Sequence, residues 1–222
     1  MRLDLHLHTW GSFDCLSDPE EILARALARG IHRIAVTDHD RLDVALEMHR
    51  RHPDRVIPGE EVKTEEGYDL IGLYLRREIP GGTPAREALR LIREDGGIAY
   101  LPHPFAPGKG GSGRHAEAVA PLVDVVEVFN ARLHPGRLND PARDLARSHG
   151  KLQGAGSDAH TPGEAGGGWV EVPRHENDPR PLLQALEEGR VGGATTPSWV
   201  HLASTWAKVR KVLPGSPGPA PR

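Results

Sequence analysis

Short apolar runs alternate with helix-patterned stretches along almost the whole chain, and most of the runs carry histidine, aspartate or glutamate within them or just past their ends. That conjunction limits the fold more than any other feature. Alternating strands and helices build sheets covered by helices, and the ends of parallel strands share one rim on which residues distant in sequence meet. Arg2 to His8 alternates apolar and polar residues with the period of a half-buried strand. Ser17-Asp18-Pro19-Glu20-Glu21 then opens a helix, with proline at its first position and acids in its first turn. Ile22, Leu23, Ala26 and Leu27 form its apolar face, and Gly30 ends it before the run Ile34-Ala35-Val36.

The same order recurs. The pattern predicts a helix over Leu42 to His52, strands over Val56 to Val62 and Asp69 to Tyr74, and a helix from Pro84 to Glu94 capped by Thr83. It continues with a strand Ile98 to Leu101, a helix near Ala116 to Leu122, a strand Val125 to Phe129, a helix Pro141 to His149 and a strand Leu152 to Gly156. After Trp169 to Val172 come a helix Pro179 to Glu188, a turn at Gly192-Gly193 and a last helix from Val200 to Val212. The expectation is a parallel sheet closed or wound by helices, in one domain over 1–213. A tail over 214–222 is too rich in proline and glycine to pack, and is expected to be disordered. The stretches Pro104 to Gly113 and Pro162 to Gly168 are glycine-rich and follow histidine-bearing strand ends, where loops shape active sites.

Composition excludes several classes. A chain of 222 residues suits one α/β domain, and a net charge of −3 gives no global attraction to nucleic acid or to an anionic membrane. Cys15 is the single cysteine, so neither an intrachain disulfide nor a thiolate zinc site can form. A reducing cytoplasm is the expected location. No apolar run approaches the roughly 18 residues of a membrane span. The 13 histidines, against 3 Phe and 3 Tyr, call for a chemical reason.

Alternate residues of a strand point the same way, so His6 and His8 can reach one ion, and Asp158 with His160 repeats the spacing. His39 lies between Asp38 and Asp40 at the second strand end, Glu60 and Glu61 lie in the third strand, His103 follows the fifth, and Glu127 lies in the sixth. Each alone has an ordinary reading: a surface His-x-His, a Thr-Asp-His turn, a core histidine bonded to a carbonyl. Together, at successive strand ends, they argue for a metal centre. Imidazole mixed with carboxylate and no thiolate suits zinc, manganese or iron. Paired ions about 3.5–4 Å apart generate hydroxide near neutral pH and clamp phosphate oxygens, so hydrolysis follows. Most of the remaining histidines, at 32, 49, 52, 115, 134, 149, 175 and 201, read as solvated.

Asp4-Leu5-His6-Leu7-His8-Thr9, Thr37-Asp38-His39-Asp40, Gly59-Glu60-Glu61-Val62, His103-Pro104, Glu127-Val128-Phe129-Asn130 and Gly156-Ser157-Asp158-Ala159-His160 resemble, in order and spacing, the PHP (polymerase and histidinol phosphatase) family over about Arg2 to His160. The resemblance implies an α/β fold, a distorted (β/α)7 TIM-like barrel, with a trinuclear metal site at the C-terminal strand ends that hydrolyses phosphoesters. It implies a first ion on His6, His8, Glu61 and Asp158, a second bridged by Glu61 and held by His103, and a third on Asp14, His39 and His160. Asp69 stands where family members often carry a histidine, so either the second ion persists with altered affinity or the site is dinuclear: two or three divalent ions of Zn, Mn or Fe. A hydroxide held between ions would attack phosphorus, with no side-chain nucleophile. Arg132 is the first candidate for a phosphate-binding cation, ahead of Lys109 and Arg114, while Glu127, Asp38 and Asp40 would orient ligands or carry protons. The function expected is hydrolysis of a small phosphomonoester or nucleotide. Its alternatives are a 5′–3′ exonuclease on short oligonucleotides, steered by Lys208-Val209-Arg210-Lys211, a non-catalytic metal-stabilised module, and a hydrolase of C–N bonds. No protein partner is evident.

Overall fold

The computed structural model describes residues 1–108 and 110–213. Lys109 and the tail over 214–222 lie outside the described residues. In chain order the elements are β1 (Arg2–Leu7), α1 (Pro19–Ala28), β2 (Arg33–His39), α2 (Asp43–Arg51), β3 (Val56–Lys63), β4 (Asp69–Leu73), α3 (Ala85–Glu94), β5 (Ile98–Leu101), α4 (Ala116–Val119), β6 (Val125–Asn130), α5 (Asp140–Ser148), β7 (Leu152–Gly156), β8 (Gly168–Glu171), α6 (Pro179–Leu186), β9 (Arg190–Gly193) and α7 (His201–Lys211). The strands form one nearly closed, barrel-shaped sheet in the order β7-β6-β5-β4-β3-β2-β1-β8-β9. Among the described residues no helix is long and apolar enough to cross a membrane.

The sheet is not wholly parallel, as the alternation of strands and helices had suggested. β4 runs antiparallel to both β3 and β5, and β8 runs antiparallel to β1 and β9. The reason lies in the connection after β3. Five residues, Thr64 to Tyr68, cannot hold a crossover helix, so the chain turns back as a hairpin, with Gly67 at φ 89° and Thr64 N–H donating to Tyr68 O at 2.9 Å. This reversal matters for the site. It places the first residue of β4, Asp69, opposite Lys63 at the end of β3, on the rim where β1 to β3 end.

Closure is made at β1. Its first residues pair with β8, while past its end His8 N–H donates to Ala159 O at 2.9 Å and Asp158 N–H donates to His6 O at 2.7 Å. Gly168 permits this seam, because a Cβ there would overlap the carbonyl of Gly156. The turn expected at Gly192-Gly193 is instead part of strand β9, paired with Trp169 and Gly168. A side chain at Gly192 would strike the Trp169 ring, so these glycines mark close approach rather than chain reversal.

Two apolar clusters sandwich the sheet. Inside the barrel Leu3, Leu5, Ala35, Ile57, Ile71 and Tyr100 pack with α6, and outside it Ile34, Val36, Val62 and Leu70 pack under the helices. Strict alternation along β1 fails: Leu3 and Leu5 join the inner cluster and Leu7 the outer one, with a register shift between Asp4 and Leu7. The shift lets one strand carry an apolar floor at its start and inward imidazoles at its end.

Helix α1 starts as expected, with the Asp18 side chain accepting from Glu20 N–H and proline in the first turn. Helix α3 does not. Thr83 donates to Pro80 O instead of capping it, and the Glu66 carboxylate, from the hairpin, accepts from Ala85 N–H at 2.9 Å. Replacing Glu66 by Ala should lower unfolding free energy by about 1 kcal/mol, the usual size of a lost helix cap. A denaturation midpoint equal to that of the parent would show that this contact contributes nothing.

Candidate metal centre

Alternate inward residues explain how the site arises. Along β3 they are Ile57, Gly59 and Glu61, and along the reversed β4 they are Leu73, Ile71 and Asp69. On β6 they are Val125 and Glu127. Each column is apolar at the barrel floor and carboxylate at the rim. His103 and Asp158 come from backbone turned out of the strand ends, at φ 23° and 51°. Such conformations cost of order 1–3 kcal/mol for side-chain-bearing residues and persist where surrounding contacts hold them. Here His103 N–H donates to Glu127 Oε2 at 2.8 Å, and Asn130 Nδ2 donates to Asp158 Oδ2 at 3.3 Å.

The imidazoles and carboxylates converge. His6 Nε2 and His8 Nε2 are 3.2 Å apart, Glu61 Oε2 lies 3.2 and 3.3 Å from them, and Asp158 Oδ1 lies 4.0 and 3.4 Å from them. Two donors bound about 2.0–2.1 Å from one tetrahedral ion would lie about 3.3 Å apart, so these four groups fit a single divalent ion. Glu61 also turns its other oxygen to His103 Nε2 at 3.1 Å. His160 Nε2 lies 3.2 Å and His39 Nε2 3.9 Å from Asp14 Oδ1. Three groups could each hold an ion by proximity alone: His6, His8 and Asp158; His6, Glu61 and His103; and His8, His39 and His160. The structure thus brings together every metal-ligating candidate read from the sequence except Asp69, which sits at the edge of the cluster in an ion pair of 2.5 Å with Lys63.

The electrostatics are those of buried imidazoles and carboxylates that compensate one another. Burial opposes a charged His6, but Glu61, Glu127 and Asp158 outweigh it and hold the imidazole well above its usual pKa. His8 is likewise disfavoured by burial, yet its hydrogen bonds to Asp158 and Glu61 push it up to about 10. His39, where burial wins, falls to about 4. Burial also opposes ionisation of Glu61 and Asp158, but the surrounding histidines hold both well below the usual carboxylate range. Asp69 is the exception: burial, and then the charge of Glu61, push its carboxyl up to about 7.

Residues behind the cluster hold it in place. Glu127 is a buried hub: its Oε1 faces His6 Nδ1 at 3.1 Å and accepts from the Tyr100 hydroxyl at 3.2 Å, while its Oε2 accepts from His103 N–H and Asn130. Asp38 accepts from Thr9 and Ser12 beneath the site, and Asp40 accepts from Lys63 N–H at the cavity edge. Arg132 is only 4% exposed. Its Nε lies 3.0 Å from Glu164, its Nη1 2.5 Å from His160 Nδ1, and its Nη2 donates to Ser204 at 3.2 Å. Arg114 is exposed and turned to His115.

Above the cluster opens a cavity of about 630 Å³, and helix α7 forms one wall of it with His201, Ser204, Thr205 and Lys208. Sequence reading treated His201 as solvated and α7 as surface. Lys211 instead donates to the carbonyls of Trp10 and Ser12, and Lys208 lies 3.8 Å from Asp14 and 5.1 Å over the Phe13 ring. Glu164, Asn130, Tyr100 and Ser12 were also passed over. Glu164 alone left a signal, as the one charged residue in the loop Pro162 to Gly168. In the other glycine-rich loop, Gly110 O accepts from Asp69 N–H at 2.8 Å, and a side chain at Gly110 would overlap the Asp69 carboxylate.

Comparison with known proteins agrees with this geometry. The chain is 35% identical over 156 residues to the uncharacterized protein MJ1587 of Methanocaldococcus jannaschii, spanning 64% of this chain and 89% of that one. The fold matches PsfC from Pseudomonas syringae with a TM-score of 0.67 at 19% identity, over 94% of this chain and 98% of that one. It also matches a lesion-specific endonuclease from Pyrococcus furiosus with a TM-score of 0.63 at 16% identity, over 86% of this chain and 58% of the endonuclease. The sequence profile of the PHP domain covers residues 4–79, and that of the PHP-associated region covers 136–191. With its barrel, its rim of imidazoles and carboxylates, and these matches, the chain belongs to the PHP family.

Proposed function

We propose that the protein is a metal-dependent hydrolase of phosphate esters, acting on a small phosphomonoester or nucleotide. One observation carries this reading: His6 and His8 turn Nε2 toward each other and toward two carboxylates at 3.2–4.0 Å, deep in a buried rim. Divalent ions held there would supply Lewis acidity and a nucleophile at neutral pH without a side-chain nucleophile. His6, His8, Glu61 and Asp158 would hold one ion, His103 with Glu61 a second, and Asp14, His39 and His160 a third, with Asp69 a weak adjunct to the second. The similarity to an endonuclease supports phosphoester chemistry on this barrel.

The chain's own groups divide the remaining work. Arg132 is enclosed by Glu164, His160 and Ser204, which supports a role in the scaffold beside the cluster rather than in gripping substrate. Lys208, 54% exposed in its side chain and at the cavity mouth, is better placed to meet a phosphate. The basic run on α7 gives little support to the exonuclease alternative, because Lys208 lies beside Asp14 at the cavity mouth and Lys211 is bonded to the carbonyls of Trp10 and Ser12. The filled set of ligand positions likewise weighs against a purely structural module.

The direct test is hydrolysis of a phosphomonoester, a phosphodiester and an amide by protein purified without chelator. Chelator-sensitive phosphate release is expected, and amide cleavage with no ester cleavage would overturn the assignment. Lys208→Gln should raise KM for phosphate esters about tenfold, the size of one lost charged hydrogen bond, at unchanged metal content; equal KM values would remove Lys208 from the substrate path. Arg132→Gln should instead lower the thermal unfolding midpoint, because it leaves the buried Glu164 carboxylate without its cation; an unchanged midpoint would show that the pair contributes nothing. Metal loading should also release protons. The pKa of His8 near 10 leaves it protonated at neutral pH, and a ligand imidazole must be neutral, so affinity should weaken as pH falls from 8 to 6 by about tenfold or more per displaced proton and pH unit. Calorimetry in buffers of different ionisation enthalpy reads this directly, and a buffer-independent heat would contradict it.

A further inference from the structure

Ser12 is fully buried in the turn after β1 and lies directly behind His8. Its backbone is fixed at both ends: the N–H donates to Thr9 O at 3.1 Å, and the Lys211 ammonium donates to its carbonyl. The hydroxyl then has three polar neighbours, Asp38 Oδ1 at 3.0 Å, His39 N at 3.0 Å and His8 Nδ1 at 2.9 Å.

A hydroxyl offers one proton and two lone pairs. The His39 amide can only donate, so it takes one lone pair. The Asp38 carboxylate can only accept, and it already accepts from Thr9 N–H at 2.6 Å and from the Thr9 hydroxyl at 2.5 Å, so the Ser12 proton goes to it. One lone pair is left for His8, and His8 Nδ1 must therefore carry a proton. In the opposite arrangement, with Ser12 donating to His8, the Ser12 and Asp38 oxygens would face each other at 3.0 Å with no proton between them.

We infer that Ser12 sets the tautomer of His8 in its neutral, ion-binding form, keeping Nδ1 protonated and leaving Nε2 as the nitrogen that would meet an ion shared with His6, Glu61 and Asp158. Ser12 is thus a positioning residue for the ion those groups would hold, an inference that rests on reading the cluster as a metal site. His6 is fixed in the same sense by a different device, since its Nδ1 faces the Glu127 carboxylate. A charge stands directly behind His6, whereas behind His8 the charge of Asp38 acts through one intervening hydroxyl. The same hydroxyl holds the His39 backbone, so a single side chain ties two ligand-bearing segments together.

The test is nitrogen-15 NMR of zinc-loaded protein labelled at histidine. His8 should show a protonated, slowly exchanging Nδ1 and a zinc-bound Nε2, and the opposite pattern in the wild-type protein would overturn the inference with no variant needed. Ser12→Ala should lower zinc affinity, measured by competition with a chromogenic chelator, by about 10–100-fold, as lost outer hydrogen bonds to metal ligands do. It should also abolish the exchange protection of the His8 N–H. Unchanged zinc affinity together with a protected His8 N–H in this variant would equally overturn it. Wild-type protein with no zinc-shifted histidine signals would sink the metal reading itself, a result distinct from zinc bound through the wrong nitrogen.

Discussion

Two imidazole nitrogens 3.2 Å apart, both with their other nitrogen turned to an acceptor and both facing buried carboxylates, form the contact on which the rest of the structure depends. Bare Nε2 lone pairs on His6 and His8 would repel, and the charges of Glu61 and Asp158 are buried where isolated charge is costly. The carboxylates around them hold His6 well above its usual pKa and push His8 up to about 10. A divalent ion held there would meet all four donors at once.

The fold supplies that contact through three departures from a regular barrel. A register shift in β1 turns its imidazoles inward above an apolar floor. A five-residue hairpin reverses β4 and brings Asp69 to the rim beside Lys63. A glycine seam between β7 and β8 closes the barrel, so that Asp158 and His160 reach the end of β1. Helix α7, outside both ranges matched by the family profiles, then covers the opening and adds Lys208 and Ser204 to the cavity wall. Beneath the rim, Glu127, Ser12 and Asp38 turn ring orientation and proton position into properties of the scaffold.

Much of this was legible in the sequence, and for a physical reason. The candidate histidines sit at or just past strand ends, and strand ends are marked by apolar runs of unmistakable length, so His6, His39, His103 and His160 align along one rim before any contact is known. Strand direction was less accessible, since β4 reads as a strand either way and only the length of the link before it separates a hairpin from a crossover. Helix α3 is legible in its pattern but its cap is not, because Thr83 is the neighbour in sequence whereas Glu66 is brought near only by the hairpin. The role of Arg132 was the hardest to judge. A cation just past a strand end suggests substrate, but its buried partner Glu164 lies 32 residues away in a loop without regular structure, and no local pattern links the two. Ser12, an ordinary serine in sequence, gains its place from three groups that only the folded chain assembles.

The central claim is that the rim is a built metal site, and anomalous diffraction from crystals of the protein loaded with zinc or manganese tests it most directly. The account predicts a peak within coordinating distance of His6 Nε2, His8 Nε2, Glu61 and Asp158, with any further peak beside His103 or between His39 and His160. Loaded crystals with no anomalous peak in this cluster, or with peaks only on surface histidines such as His175, would contradict it.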